Sequence, residues 1–318
     1  MRCAILDDYQ DVARSSADWR SLAGSIEVDV FNEHIADRAA LADALAACAI
    51  VVAMRERTPF DQALLARLPE LQLIVTTGMR NASIDLAAAA AQGVVVCGTR
   101  SWPGTAAELT WALILALARD IPHEVYAFNR GGRWQSGIGC SLHGATLGVV
   151  GLGNVGQRVA AVARAFEMNV IGHSRSLTAE KSTELGISHA RTLEELLRGS
   201  DIVSLHLSLT AETRGMIGAR ELALMKPTAY LVNTSRGPVV DETALIDALA
   251  TNRIAGAALD VFDREPLPGN HPLRTIPHLI GTPHVGYVTR ENYRVFYGDA
   301  VEDILAWHNG APVRVLSP

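Results

Sequence analysis

The chain has 318 residues, 49% of them hydrophobic and 19% charged, which is length for two domains and apolar content for a sizeable core. A net charge of −6 argues against a nucleic-acid partner, which needs a basic stripe. Cys3, Cys48, Cys97 and Cys140 lie far apart with no metal-ligand spacing, so they read as thiols of a reducing compartment and no metal site is expected.

The opening "MRCAILDDYQ" lacks a charged-then-apolar signal pattern and already reads as a strand. The most apolar run, Leu109–Ala118, is far short of a membrane span. A cytoplasmic protein with no membrane partner is the expectation. Next, "RCAIL", "IEVDVF", "IVVA", "LQLIVT" and "VVVCG" read as strands. Between them "DVARSSADWRSLA", "RAALADALAAC", "DQALLARL" and "IDLAAAAAQ" read as helices, the last two stopped by Pro69 and Gly93. Strands alternating with helices predict a parallel sheet covered on both faces.

The stretch "SWPGTAAELTWALILALARDIP" follows. Thr105 and Glu108 have capping-box spacing, so a helix should start there. Its body is apolar all round and needs burial on every side, as an interdomain or subunit contact provides. Pro122 should end or kink it. From about residue 145 the alternation restarts and predicts a second doubly wound unit. The last segment, "RENYRVFYGDAVEDILAWHNG", reads as a long helix that returns to cover the first unit.

"TLGVVGLGNVGQRVAAVARAF" places Gly151, Gly153 and Gly156 in G-x-G-x-x-G spacing. An apolar strand precedes them, and a helix with Val155, Val159, Val162 and Phe166 on one side follows, which is the context of a dinucleotide-binding turn. Gly151 permits the tight turn, Gly153 lets a pyrophosphate approach, and Gly156 lets helix and strand pack closely. Phosphates would meet the N–H groups at the helix start. The next strand ends in "VIGHSRS", where NAD sites usually carry an acidic residue. Arg175 can instead pair with a 2′-phosphate, with Ser174 adding a hydrogen bond. NADP is therefore expected, with NAD held by other groups as the alternative.

Three further stretches follow strands. "AYLVNTSRGPVVDETAL" carries Arg236 ahead of a helix capped by Asp241; "AALDVFDREPL" carries Asp260 and Glu265; "GTPHVGY" carries His284. Ligands of open α/β sheets sit outside the carboxyl ends of the strands, so these side chains can converge where a nicotinamide would lie. Singly, each has a bland reading: a turn histidine, a cap-neutralising arginine, a solvated loop carboxylate. Together, behind a nucleotide turn, they make a constellation.

With "NTSRG", "LDVFDREPLP" and "TPHVG" following the glycine turn in order, the chain resembles the D-isomer-specific 2-hydroxyacid dehydrogenases. The resemblance implies a two-domain α/β fold of doubly wound parallel sheets. A Rossmann NAD(P)-binding domain, residues 100–286, would be inserted in a flavodoxin-like substrate domain, residues 1–99 and 287–318. It implies a homodimer formed through the helix from Thr105, and a small 2-keto or 2-hydroxy acid as substrate. His284 would be the proton donor and acceptor, Glu265 its hydrogen-bond partner, and Arg236 the grip on the substrate carboxylate. Asp260 would sit by the nicotinamide carboxamide. Thr105, Asn154, Val155, Leu207, Ser208, Thr234 and Ser235 are further cofactor positions by resemblance. A regulatory domain after the last helix, of the kind some phosphoglycerate dehydrogenases carry, is not expected.

One loop departs from the pattern. Where the family often has a glycine-rich substrate loop, "TGMRNASID" offers Gly78, Met79, Arg80 and Asn81. A backbone nest for the substrate carboxylate can persist there. Asn81 would add an amide to the pocket. Arg80 either faces the substrate, favouring a polar or second acidic group, or points to solvent. Two rival functions stay open: a formate or phosphite dehydrogenase on the same scaffold, and a nucleotide-sensing binding protein like the corepressors that resemble these enzymes.

Overall fold

A computed structural model describes all residues, 1–318. They form two compact units, residues 1–103 with 288–318, and residues 104–287. No helix is long and apolar enough to cross a membrane.

In the first unit, β1 (Arg2–Ile5), α1 (Ala13–Ser16), β2 (Glu27–Val30), α2 (Arg38–Leu45), β3 (Ile50–Ala53), α3 (Gln62–Leu65), β4 (Leu73–Thr76), α4 (Leu86–Ala91) and β5 (Val95–Gly98) alternate along the chain. The strands pair in parallel in the order β2-β1-β3-β4-β5, the flavodoxin-like arrangement. β3 and β4 are buried throughout, which is why they read as unbroken apolar runs rather than alternating ones. Asp37, Asp61 and Asp85 start α2, α3 and α4 by accepting first-turn N–H groups.

The second unit contains α5 (Thr105–Ala118), α6 (Ile121–Asn129), β6 (Thr146–Val150), α7 (Asn154–Ala165), β7 (Asn169–His173), α8 (Ala179–Leu185), β8 (Ser188–His189), α9 (Leu193–Gly199), β9 (Ile202–Leu205), α10 (Ala219–Leu224), β10 (Tyr230–Asn233), α11 (Glu242–Ala250), β11 (Gly256–Leu259) and β12 (Leu279–Gly281). Its sheet is parallel in the order β12-β11-β10-β9-β6-β7-β8, and the order reverses between β6 and β9, as in a Rossmann fold. Leu147 and Val149 of β6 pack with α5 and α7 on one face, while Val150 packs with α9, α10 and α11 on the other.

The final helix, α12 (Arg290–His308), belongs to the first unit and packs on α1 and β4, burying Phe296, Tyr297 and Ile304. Beyond it the chain adds an antiparallel strand pairing to the edge of β5: Gly98 N donates to Arg314 O (3.0 Å) and Leu316 N to Val96 O (2.8 Å). The first unit extends to residue 103 rather than 99. Asp299 and Asn292 of α12 accept from Arg100 N and Trp102 N, at 2.8 and 2.7 Å, and so hold the connecting segment.

Two local expectations need correction. α5 starts at Thr105, but Gly104 at φ +102° is the cap residue and Thr105 is already helical, so no capping box forms. Within the chain α5 is buried over most of its circumference, and Ala112 and Leu115 stay exposed on the remaining stripe. Pro122 does not end that helix; it sits in the first turn of α6, after a break at Asp120 (φ +48°).

Candidate active site

The glycine turn joins β6 to α7. Gly151, at φ +91°, donates its N–H to His173 O (2.9 Å), and a Cβ there would stand 2.5 Å from His206 O. A Cβ on Gly156 would fall 2.0 Å from Gly151 O, so only glycine lets α7 come this close to β6. A Cβ on Gly153 would meet nothing within 4 Å, so the backbone there is open to a ligand. α7 has 12 residues and no side chain caps its start. The N–H groups of Asn154, Val155 and Gly156 therefore face outward as anion donors. Open backbone plus uncapped donors fits the pyrophosphate of a dinucleotide.

The face of α7 differs from the expected stripe. Its buried residues are Gly156, Val159, Ala160 and Ala163, while Val162 is 40% exposed. The close approach at Gly156 turns small residues toward the sheet. Phe166 stays partly exposed and stacks on Trp111 at 5.0 Å.

Ser174 and Arg175 follow β7, and Arg175 is exposed. Glu212 stands close enough to feel it. The Thr210 hydroxyl, then the Glu212 backbone N–H and, more weakly, Arg175 hold that carboxyl below its usual range. Leu207 walls the turn, its Cδ2 3.0 Å from the Cβ position of Gly151. Ser208 is exposed, and its carbonyl accepts from Thr213 Oγ1 (2.7 Å). His206 accompanies them; burial pushes its imidazole down to about 4, so it adds no charge beside the phosphate cradle.

Arg236 lies on the turn after β10, with its side chain directed by Nη1 to Ser235 O (2.7 Å). Asn233, which composition alone gave no reason to single out, is fully buried beneath it. Its Oδ1 accepts from Ser235 N (3.0 Å) and Ser235 Oγ (2.8 Å), and its Nδ2 donates to Arg236 O (2.9 Å). Thr234 Oγ1 pairs with Thr110 Oγ1 of α5 at 2.7 Å. A Cβ on Gly237 would be 2.1 Å from the carbonyl carbon of Phe262, so the Arg236 turn lies directly on the segment that carries Glu265. A cavity of about 10 Å³ behind the turn, lined by Asn233, Glu242 and Phe262 among others, is water-sized and too small for a keto acid.

Glu265 and His284 meet. Glu265 Oε1 accepts from Phe262 N (2.9 Å), and Oε2 lies 2.6 Å from His284 Nδ1. The carboxylate therefore accepts a hydrogen bond from Nδ1–H, which leaves Nε2 as the nitrogen free for a ligand. Both side chains are largely buried, with 27% and 16% exposure. The ring stands edge-on to Tyr287, 5.2 Å between centroids. His284 has a left-handed backbone, φ +53°.

Asp260 has a second task besides the expected cofactor contact. It is 1% exposed, and accepts from Thr282 Oγ1 (2.6 Å) and Val285 N (2.8 Å) at Oδ1, and from Gly286 N (2.9 Å) at Oδ2. Burial raises its carboxyl above the usual range, and those three donors offset part of the effect. Asp260 thus grips both sides of His284.

The loop after β4 belongs to the first unit. Gly78, φ +95°, donates its N–H to Thr99 Oγ1 (2.8 Å), and Arg55 occupies the space its Cβ would need. Met79 and Arg80 are exposed. Asn81 does not offer its amide outward: it is 8% exposed, donating to Arg55 O (2.6 Å) and Thr76 Oγ1 (2.8 Å) and accepting from Ser83 N (2.9 Å). A buried amide is held where it satisfies backbone groups, and here those lie beneath the loop.

A Rossmann unit with a phosphate-ready turn and an arginine, glutamate and histidine beyond its strand ends has the features of a nicotinamide-dependent dehydrogenase. Residues 111–286 match the family model described as "D-isomer specific 2-hydroxyacid dehydrogenase, NAD binding domain". The glyoxylate reductase of Aeropyrum pernix is 43% identical over 283 residues, 85% of this chain and 82% of that protein. The D-3-phosphoglycerate dehydrogenase of Methanocaldococcus jannaschii is 39% identical over 244 residues, 76% of this chain but only 46% of that protein, so this chain spans about half of such relatives. The crystal structure of a putative D-3-phosphoglycerate dehydrogenase from Ralstonia solanacearum superposes with a TM-score of 0.94 at 40% identity, covering 100% of this chain and 97% of that one. The chain belongs to the D-isomer-specific 2-hydroxyacid dehydrogenase family.

Proposed function

We propose that this protein reduces a 2-keto acid to a D-2-hydroxy acid and runs the reverse oxidation, with a nicotinamide dinucleotide as cofactor. The observation that carries the reading is the 2.6 Å contact of His284 with Glu265, on a segment packed against the Arg236 turn. Arg236 grips the substrate carboxylate with a planar, permanently charged fork and polarises the carbonyl. His284 Nε2 gives its proton to the carbonyl oxygen as that oxygen becomes an alkoxide, and takes it back in the oxidation. Glu265 holds the ring by Nδ1 and so fixes its orientation. The bound nicotinamide supplies or accepts the hydride.

Gly151, Gly153, Asn154, Val155 and Gly156 hold the pyrophosphate, and Ser174 and Arg175 the adenosine ribose. Thr105, Leu207, Ser208, Thr234, Ser235 and Asp260 complete the cofactor site, while Gly78, Met79 and Arg80 meet the substrate. NADP is the proposed cofactor, since no carboxylate follows β7 to hold a ribose 2′-hydroxyl and Arg175 stands exposed there. A cytoplasmic homodimer completes the proposal, supported by four free cysteines and an exposed apolar α6.

The test follows nicotinamide absorbance with NADPH and NADH against glyoxylate, hydroxypyruvate, larger 2-keto acids and, in reverse, formate. Keto acids should turn over and formate should not. Arg175→Ala should lower kcat/KM for NADPH about 10–100-fold relative to NADH, the worth of hydrogen bonds to a charged group. Turnover of formate alone, or none at all, refutes the reading.

A further inference from the structure

We infer that Asn233 is a positioning residue: its buried amide sets the backbone of Arg236, and through it the placement of the guanidinium toward the substrate carboxylate. The inference rests on the proposed function for what Arg236 binds, but the geometry stands by itself.

Asn233 is the last residue of β10, and its side chain is 0% exposed. A buried amide has two donor hydrogens and an acceptor oxygen to satisfy. Here the oxygen takes the N–H and the hydroxyl of Ser235, and the nitrogen gives to the carbonyl of Arg236. The side chain thus replaces the strand ladder for the three residues after β10 and bends them into one turn. That turn leaves Arg236 extended, φ −145° and ψ 136°, and starts the short helical turn Gly237–Val239. The backbone carbonyl of Asn233 also accepts from Asp260 N at 3.0 Å. Asn233 therefore ties the end of β10, which leads to Arg236, to the end of β11, whose Asp260 grips the His284 segment. Among side chains of about this size, only the asparagine amide puts an acceptor and a donor on two separate atoms. Aspartate keeps the acceptor and loses the donor until it is protonated.

The test is Asn233→Asp, with Asn233→Ala beside it. Each is assayed with NADPH and the best keto acid of the wild-type panel, alongside NADPH affinity by fluorescence titration. At pH 8, Asn233→Asp should raise KM about tenfold or more, leave NADPH affinity within about twofold, and lower kcat less than it raises KM. The ratio of variant to wild-type KM should shrink at lower pH. A carboxyl buried there has its pKa raised, and once protonated it can donate to Arg236 O again. A general packing role would not produce that pH-dependent recovery. A crystal structure of Asn233→Asp at high pH reads the same point without turnover: the Arg236 turn should be displaced. If wild type reduces no keto acid, the functional reading fails and the crystal structure alone decides the positioning role. An unmoved turn, an unchanged KM, or a loss of NADPH affinity equal to the rise in KM overturns the inference.

Discussion

The proposed chemistry concentrates at His284, which combines a left-handed backbone with a fixed side chain. A non-glycine residue at positive φ persists only where its surroundings over-determine it. They do so here: His284 N bonds Thr282 O at 2.9 Å, and Asp260 holds Thr282 on one side and Val285 and Gly286 on the other. His284→Gln, which keeps polarity and near shape but not the proton, should lower kcat for keto-acid reduction about 10²–10⁴-fold. Single-turnover traces check this, and a variant within about threefold of wild type would exclude the assignment. The candidate trio could be singled out in the sequence because each member follows a strand end, and the structure brings Glu265 to His284 and the turn of Arg236 against the segment that carries Glu265. Asn233 could not. An asparagine at the end of a strand is ordinary in composition, and its part shows only once burial and both of its amide ends are seen. Asn81 misled for the converse reason: a polar residue in a loop reads as outward-facing, whereas the backbone beneath the loop claims its amide.

At the scale of elements, apolar runs bounded by breakers located the long strands, because a doubly covered parallel strand needs apolar residues on both faces. β8, only two residues long, left no such run, and neither did the edge pairing of Arg314–Leu316 with β5. That last pairing depends on charges distant in sequence. Arg314 reaches Glu302 at 2.9 Å and Asp303 at 3.0 Å, and Asp299 lies 4.0 Å away. Asp303 is fully buried, and burial pushes its carboxyl up to about 7; Arg314 opposes this shift and the carboxylates of Asp299 and Glu302 add to it. A folded-state value raised above that of the unfolded chain means the native state holds the proton more tightly. Stability from this group is therefore present below about 4 and lost as pH rises toward 7. The neutral amide of the variant Asp303→Asn carries no such penalty. Urea midpoints of wild type and D303N should then diverge in favour of the variant as pH goes from 5 to 8. A constant gap over that range would show that the buried carboxyl does not titrate there.

For the molecule as a whole, the surface of α6 is unaccounted for by a single chain. None of its residues is buried, and Ile121, Val125 and Phe128 recur at the spacing of one helical face. Beyond it Trp134 is 76% exposed and Ile138 entirely so, while the chain carries a net charge of −6 that favours solubility elsewhere. Apolar residues collected on one helix and the loop after it mark an interaction surface rather than scattered exposure. The exposed edge of α5 at Ala112 and Leu115, on the helix just before it, gives the same indication. A second copy of this chain is the proposed occupant, since the same faces would be covered on both partners by a two-fold contact. Light scattering behind gel filtration should give twice the 34.0 kDa of one chain. Taking a side chain such as Phe128 out of water contributes roughly 1.5–3 kcal/mol, and a charge in its place opposes association further. Val125→Asp with Phe128→Asp should therefore yield a monomer that keeps its far-ultraviolet circular dichroism, because neither side chain contributes to the core of its own chain. A wild-type protein that runs as a monomer at micromolar concentration, or a doubly charged variant that remains dimeric, would place the partner of α6 elsewhere.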